Sequence, residues 1–594
     1  MCGINGIVAM AEAAAPVDRG ELRRTRDAMT RRGPDGCGEW VAADGSAALG
    51  HRRLAVIDLS EAAAQPMASA DGRYWLVYNG EIYNYRSLRH TLEQDGVVFR
   101  SSSDTEVVLA LFQRHGEAML PMLRGMFALA IFDTRQRRLL LARDPLGIKP
   151  LYYATAGGLF RFASQVKALE AGGGIPLAID PAACVAFLLW GSIPEPLTLR
   201  RAVRALPAGH FLTVTAGRLG EPVPFTRQAE AGPEGASDVV EAVLASIEAH
   251  LVADVPVGIF LSAGLDSAMV AAVATRALPD PPVTLTVRFQ EFLGTPLDEG
   301  PLAAVTARRL GTRHVERVVG RSDFLDLWPK ALAAMDQPSI DGFNTYVIAR
   351  VAHECALKVV LSGLGGDELF GSYPSFRQVP ALLRLGRWVR HLARWWPYLA
   401  RTLVPATPKW QGLAEFGGTL AGAYFLRRGL FLPRELPAVL GDELAQEGLA
   451  RYHPVEAIRP VAAARDPWRA VHQLESWHYL RHQLLRDADW AAMAHSVELR
   501  VPFADADLQA ALARAEFEPC RSRGKAALAR AVAPELPRQV LRRRKTGFAI
   551  PVMRWLHPDG VKGRAGLDSR RLALRVLQEF GVPLSREAAS GLEA

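Results

Sequence analysis

Cysteine is scarce in this chain: five residues in 594, at positions 2, 37, 184, 355 and 520. None falls in a CxxC pair or at metal-type spacing with histidine. That excludes a disulfide-stapled scaffold and a finger-like zinc site, and suits four of the five as plain thiols in a reducing compartment. Long apolar runs are also missing. No stretch reaches the roughly 20 residues that cross a bilayer, so no integral membrane segment is expected. The opening residues, MCGINGIVAM, carry no basic region ahead of their apolar stretch, unlike a secretory leader, and a cytoplasmic protein is the expectation. There is no repeat of fixed period and no low-complexity tract. Charge is only mildly one-sided: 70 Lys and Arg against 62 Asp and Glu leave +8. Nucleic-acid binding would need a concentrated basic face or a recognition motif, so no nucleic-acid partner is expected. The nearest feature is LLRLGRWVRHLARWWPYLAR, residues 382–401, where arginines recur at helical spacing beside Leu and Trp. It reads as a solvated or packing helix, with a membrane-surface or partner-binding helix as the alternative.

What is present points to two domains. A chain of 594 residues is too long for one core. Residues 1–205 alternate short apolar runs bounded by Gly, Asp or Pro (GIVAM, YWLVYN, FALAIFD, RLLLAR) with helical patterns near 19–30, 85–95 and 104–115. Residues 206–235 are rich in Gly, Pro, Ala and Glu, a linker composition. In 236–594 the order becomes strand, loop, helix: VPVGIFLS, VTLTVRF, HVERVV and KVVLS each lead into a loop or helix. That order predicts a parallel α/β sheet whose ligands bind at the carboxyl ends of the strands. From about 375 onward the pattern is largely helical.

Two stretches carry chemistry. Cys2 follows Met1, and an initiator methionine before a small residue is normally trimmed. The thiol would then sit beside an α-amine of pKa about 7.7–8.0, able to take its proton and leave the nucleophilic thiolate. Around it, CGINGI, RRGPDG (31–36), GHRRLAVID (50–58), YNGEIYNY (78–85), SSSDTE (101–106), GMFALAIFD (125–133) and RDPLGIKPLYY (143–153) follow in order. On these motifs residues 1–205 resemble the class II glutamine amidotransferases, which are N-terminal-nucleophile hydrolases with an αββα sandwich. The resemblance implies Cys2 as nucleophile, the Asn79 side chain and Gly80 N–H as oxyanion hole, Arg53 on the glutamine carboxylate, and Glu81 and Asp104 near its ammonium. The residues alone read Asn79-Gly80 as a hairpin turn. FASQVKAL departs from that pattern, with Gln165 where Glu is usual.

The second stretch is LSAGLDSA (261–268), after a strand and before a helix, joined later by SGLGGDELFGSY (362–373). A glycine-rich loop opening a helix suits an anion, and the ending is not that of a Walker loop. With LLRDADWAAMAHSVELRVPF (484–503), SRGKAALAR (522–530) and RRRKTGFAIPVMRWL (542–556), these motifs resemble the adenylating domain of the glutamine-hydrolysing asparagine synthetase family. The resemblance implies ATP as co-substrate, bound by Leu261, Ser262, Gly264, Asp266, Ser267, Val287, Ser362, Gly363 and Lys525. It implies Mg2+ on Asp266 and Asp367, and a catalytic Lys545. Ala263, Leu364, Ala492 and Ala504 depart from the usual residues; Ala263 adds a Cβ near the phosphate loop, and Leu364 stands where an acidic residue is common.

Together these imply an ATP-consuming ligase that hydrolyses glutamine and amidates a carboxylate, most simply L-aspartate, through an acyl-adenylate. An amidotransferase of the same mechanism acting on another carboxylate is the alternative. Cys2 argues against a ring-forming synthetase of the same architecture. Glutamine, ATP and the carboxylate are the expected partners, with a homodimer one conceivable assembly.

Overall fold

The computed structural model describes residues 2–10, 16–226, 236–389, 408–464, 466–515, 521, 524–543, 550–556 and 565–593. The first domain is two stacked sheets between helices. One sheet has the order β10-β8-β9-β1-β3-β2: β1 Gly3–Ala9, β2 Gly36–Val41, β3 Ala47–Arg53, β8 Tyr152–Ala156, β9 Leu159–Ala163 and β10 Val203–Ala205. The other runs β12-β11-β7-β6-β5-β4, with β13 beside β11: β4 Met67–Ala68, β5 Tyr74–Ile82, β6 Gly125–Asp133, β7 Arg138–Arg143, β11 His210–Thr215, β12 Arg218–Leu219 and β13 Val223–Pro224. Their inner faces share one core, Ile4, Val8, Phe160 and Phe162 against Val77, Phe132, Leu141 and Leu212. Helices α1 (Arg19–Ala28), α2 (Tyr85–Gln94) and α3 (Asp104–His115) fall where the helical patterns predict them. Asp18 caps α1 by accepting from the Gly20 N–H, and Ser103 caps α3 through Glu106 N. Leu22 of α1 packs on Ile7 and Ala48 of the first sheet, and Val108 of α3 on Leu129 and Ile131 of the second. This is an αββα sandwich. It reaches past residue 205, because β11, β12 and β13 lie within the stretch read as linker. HFLTVT alternates as a strand should, but its Gly- and Pro-rich flanks mask it.

The second domain holds a parallel sheet of order β16-β15-β14-β17-β18: β14 Val257–Phe260, β15 Val283–Phe289, β16 Arg313–Val319, β17 Val359–Leu361 and β18 Glu498–Arg500. From β14 the chain first adds strands on one side and then returns to add β17 on the other. The boundary between β14 and β17 is therefore the switch point, where a crevice opens at the strand ends. Both glycine-rich loops leave from these two strands, 261–264 after β14 and 362–365 after β17. Helix α7 (Leu265–Ala277) follows the first and α11 (Gly366–Phe370) the second.

The remainder is helical, as expected, and includes the π-helical stretch Glu475–Leu485. Helix α5 (Pro181–Trp190), apolar on every side, leaves the first domain and is buried among Tyr424, Phe425 and Leu436 of the second. Of the basic segment 382–401, residues up to Val389 form the end of the helix Ser375–Val389; 390–401 lie outside the described residues. No described helix is long and apolar enough to cross a membrane.

Candidate functional site

The first site grows from the start of β1. The Cys2 N–H donates to Asn79 Oδ1 at 2.8 Å, and the Arg32 Nε–H donates to the Cys2 carbonyl at 3.1 Å. Asn79 and Gly80 do not form a hairpin turn. They lie inside β5, opposite Ala128 and Phe127 of β6. A Cβ on Gly80 would come 2.2 Å from the Met126 carbonyl, so only glycine lets the two strands meet here. The Asn79 Nδ2 donor is buried and has no hydrogen-bond partner among the described residues. Such a group costs stability unless something it binds completes it. It belongs to the same side chain whose oxygen holds the Cys2 N–H. Burial pushes the Cys2 thiol's pKa up, the Leu54 N–H pulls it down, and Glu81 and Glu498 add to the rise.

Three carboxylates crowd this pocket. Asp104 accepts from the Tyr78 hydroxyl at 2.8 Å and the Ile82 N–H at 3.0 Å. Burial nonetheless raises it to about 6, with Glu498 adding to the rise. Glu81 is raised by burial, then by Glu498 and Asp104, against the Arg500 guanidinium. Its Oε2 lies 3.7 Å from Arg500 Nη2, and neither atom completes a hydrogen bond among the described residues. Glu81, buried beside like charge and with an Oε2 that accepts no hydrogen bond among the described residues, suits an added cation such as a substrate ammonium. Arg53 donates to the carbonyls of Ser60, at 2.8 Å, and Asp58, bracing the loop after β3.

The second site sits at the switch point. Ser262 Oγ and Ser267 Oγ are 2.9 Å apart, and the Gly264 N–H donates to Ser262 Oγ at 3.1 Å, folding the loop over the start of α7. Ala263 is buried, so its methyl is absorbed by packing rather than left on an open loop surface. The loops are locked by glycine: a Cβ on Gly363 would lie 2.6 Å from Ser267 N, and one on Gly366 2.3 Å from Asp266 Oδ1. Asp266 and Asp367 therefore converge, and the Lys525 ammonium bridges them, donating to Asp367 Oδ1 at 2.7 Å and to Asp266 Oδ2. Burial opposes the lysine's charge, but the two carboxylates raise its pKa above the ordinary value. The ammonium stands where a hard cation could sit, and two carboxylates leave coordination places for phosphate oxygens. Ser362 continues β17, its N–H donating to the Arg500 carbonyl at 2.9 Å. Leu261 and Val287 are buried at the ends of β14 and β15. Lys545 lies outside the described residues.

The seam between the sites is built from both domains. Tyr83, Met126, Leu146 and Ile148 of the first pack with Leu480, Leu485, Val501 and Ala504 of the second, and Leu364 packs against them. Two charge pairs also join the domains. Arg32 pairs bidentately with Asp489 at 2.6 and 3.0 Å, both buried. Arg124 donates to Asp505 at 3.1 Å. Asp336 caps the helix Val166–Gly172 by accepting from the N–H groups of Val166 and Lys167 at 3.1 and 3.0 Å, next to Gln165. Sequence reasoning gave no role to Arg32, Asp489, Glu498 or Arg500. For Glu498 and Arg500 a signal was available, as charges inside the otherwise apolar run SVELRVPF, which only buried partners would tolerate; Arg32 and Asp489 carry no such signal.

Residues 1–223 match a family described as glutamine amidotransferase domain, and residues 238–575 one described as asparagine synthase. Asparagine synthetase (glutamine-hydrolysing) 1 of Bacillus subtilis is 31% identical, over 94% of this chain and 88% of its own length. A Mycobacterium tuberculosis protein provisionally named as a glutamine-hydrolysing asparagine synthetase is 35% identical over the same shares of the two chains. The fungal amidase chry2 of Gibberella zeae is 31% identical over 64% of this chain and 60% of its own. The chain belongs to the glutamine-hydrolysing asparagine synthetase family, ATP-dependent ligases that draw their amide nitrogen from glutamine.

Proposed function

We propose that this protein converts L-aspartate to asparagine in two coupled half-reactions. With Met1 removed, the Cys2 α-amine takes the thiol proton and the thiolate attacks the amide carbon of glutamine. Charge on the carbonyl oxygen is met by Asn79 Nδ2 and the Gly80 N–H. Arg53 holds the glutamine carboxylate, and Glu81 with Asp104 its ammonium. The tetrahedral intermediate expels ammonia, and water then releases glutamate from the Cys2 thioester.

In the second domain the β-carboxylate of aspartate attacks the α-phosphorus of ATP, giving the acyl-adenylate and pyrophosphate. Ser262, Gly264, Ser267, Ser362, Gly363 and Lys525 surround the triphosphate, and Leu261 and Val287 the adenosine. Asp266 and Asp367 would hold Mg2+, which when bound neutralises charge on the pyrophosphate. Lys545 supplies positive charge to the acyl-transfer step. Ammonia attacks the acyl carbon and AMP leaves. The apolar seam around Met126, Ile148, Leu480 and Val501 is the proposed passage, since ammonia stays neutral where water is excluded.

The observation that carries this reading is the convergence of Asp266 and Asp367 on one cation position at the switch point. It occurs in the same chain as a buried thiol beside an unsatisfied Asn79 donor. The domain division follows the same logic, a glutaminase unit from residue 1 and an adenylating unit from about 236. The described cysteines are free thiols, which fits a reducing cytoplasm. The test is pyrophosphate release with ATP, glutamine and a panel of carboxylates. Release driven by aspartate, one per asparagine formed, supports the reading; release driven only by some other acid moves the acceptor, and release with none refutes it.

A further inference from the structure

The helix Ser375–Val389 has two unlike faces. Phe376, Val379, Leu383, Gly386 and Val389 are buried and fix it to the second domain. A Cβ on Gly386 would come 2.3 Å from the backbone of Gly417, so the inner face lies directly on its neighbour. On the other side Arg377, Ala381, Arg384, Leu385 and Trp388 recur at i, i+4, i+7, i+8 and i+11, the spacing of one helical stripe, and all are exposed. Trp388 keeps 65% of its surface and Leu385 37%. Arg387 is exposed beside the stripe. None of the three arginines makes an ion pair among the described residues. Two large apolar side chains in water are therefore set among cations that the described residues leave uncompensated.

The sequence concentrates the same imbalance here. Between Glu368 and Glu415 there is no Asp or Glu, yet there are six Arg and one Lys. That is +7 within one stretch of a chain whose net charge is +8. Trp388, Trp395, Trp396 and Tyr398 fall in the same stretch. Ordinary solvated helices mix both signs of charge and carry few large aromatics. An anionic lipid surface is complementary to both features. Its phosphates meet the arginines, and the headgroup boundary takes up tryptophan and leucine. A nucleic acid would supply phosphates but no apolar phase for Leu385, so the lipid surface fits better.

We propose that the exposed face of the helix Ser375–Val389 docks this protein on an anionic phospholipid membrane. The contact is peripheral and reversible, because one helix face with two large apolar side chains anchors only while the charges assist it.

The experiment is co-sedimentation of the full chain with vesicles of phosphatidylglycerol and phosphatidylcholine in equal parts, beside vesicles of phosphatidylcholine alone. Wild-type protein should sediment with the anionic vesicles at low ionic strength. It should stay in solution with the neutral ones, and also at about 1 M salt, where charges are screened beyond roughly 3 Å. Arg384→Glu/Arg387→Glu should weaken anionic binding about thirtyfold or more, and Trp388→Gln about tenfold. The control Arg308→Glu/Arg313→Glu changes the net charge equally at two exposed arginines elsewhere and should stay within about threefold of wild type. Circular dichroism and thermal melting report that each variant is folded. Wild-type protein that fails to sediment with anionic vesicles at low ionic strength would overturn the proposal, a result that needs no variant. So would a control variant that loses as much binding as Arg384→Glu/Arg387→Glu, since the whole molecule's charge would then be responsible. Binding to polyuridylate RNA without binding to vesicles would overturn it as well, in favour of a nucleic acid.

Discussion

Asparagine 79 offers the sharpest single-atom test of the glutaminase site. Its two side-chain atoms have separate tasks: Oδ1 accepts from the Cys2 N–H at 2.8 Å, and Nδ2 is buried without a partner among the described residues. Asn79→Asp keeps an acceptor for Cys2 and replaces the donor by a second oxygen. Losing one oxyanion donor costs about 2.7–4 kcal/mol, or roughly a hundred- to a thousandfold in kcat. The aspartate also adds negative charge beside Glu81, Asp104 and Glu498, whose mutual repulsion already raises Glu81. Asn79→Asp should therefore be the slower variant, and Asn79→Ala, which loses the donor without adding charge, the faster. The assay is glutamate release at saturating glutamine, beside ammonium-driven pyrophosphate release as the control for the second domain. An Asn79→Asp enzyme that keeps more than about a third of wild-type kcat would refute the oxyanion assignment.

Three further outcomes follow from the same geometry. Asp104 has its pKa raised from 3.8 to about 6 by burial, so kcat/KM for glutamine should fall as pH drops through about 6 and the carboxylate takes up a proton. The sign for stability is opposite: a carboxylate with a raised folded pKa stabilises below its unfolded value, so the glutamine-free protein should lose stability between 3.8 and about 6 as pH rises. Melting curves across that range, repeated for Asp104→Asn, measure it. Gly366→Ala places a Cβ 2.3 Å from Asp266 Oδ1; displacing that carboxylate should cut pyrophosphate release about a hundredfold while glutamate release continues. Asp489→Ala strands the buried Arg32 guanidinium and should cost about 3–5 kcal/mol in denaturant unfolding, whereas replacing both partners by apolar residues should cost less.

Much of this was legible in the sequence because the elements concerned obey simple periodicities. VTLTVRF is a β-branched run of strand length and forms β15 over those residues. The two glycine-rich loops announce themselves by following apolar runs, and their strand-end position is what a parallel sheet requires. Asn79-Gly80 shows where local reading fails. The dipeptide favours a hairpin turn, yet cross-strand pairing with β6 holds it in an extended strand, where the glycine serves close backbone approach instead. Strand β18 has three residues, too short for any alternation to show. The bridge of Lys525 between Asp266 and Asp367 joins residues up to 259 positions apart, and no local pattern encodes such a contact. Arg32 and Asp489 are likewise each an ordinary surface residue in the sequence, and become a buried pair only when the domains dock.

If one chain makes ammonia at Cys2 and consumes it at an acyl-adenylate formed elsewhere, the two nitrogen sources are separable. Cys2→Ala, assayed with ATP and aspartate and with either glutamine or ammonium chloride as nitrogen source, tests it most directly. Asparagine formation from glutamine should be abolished while formation from ammonium, with one pyrophosphate per asparagine, continues at the wild-type rate. Loss of both activities in a folded Cys2→Ala protein, or survival of the glutamine-driven one, would contradict it.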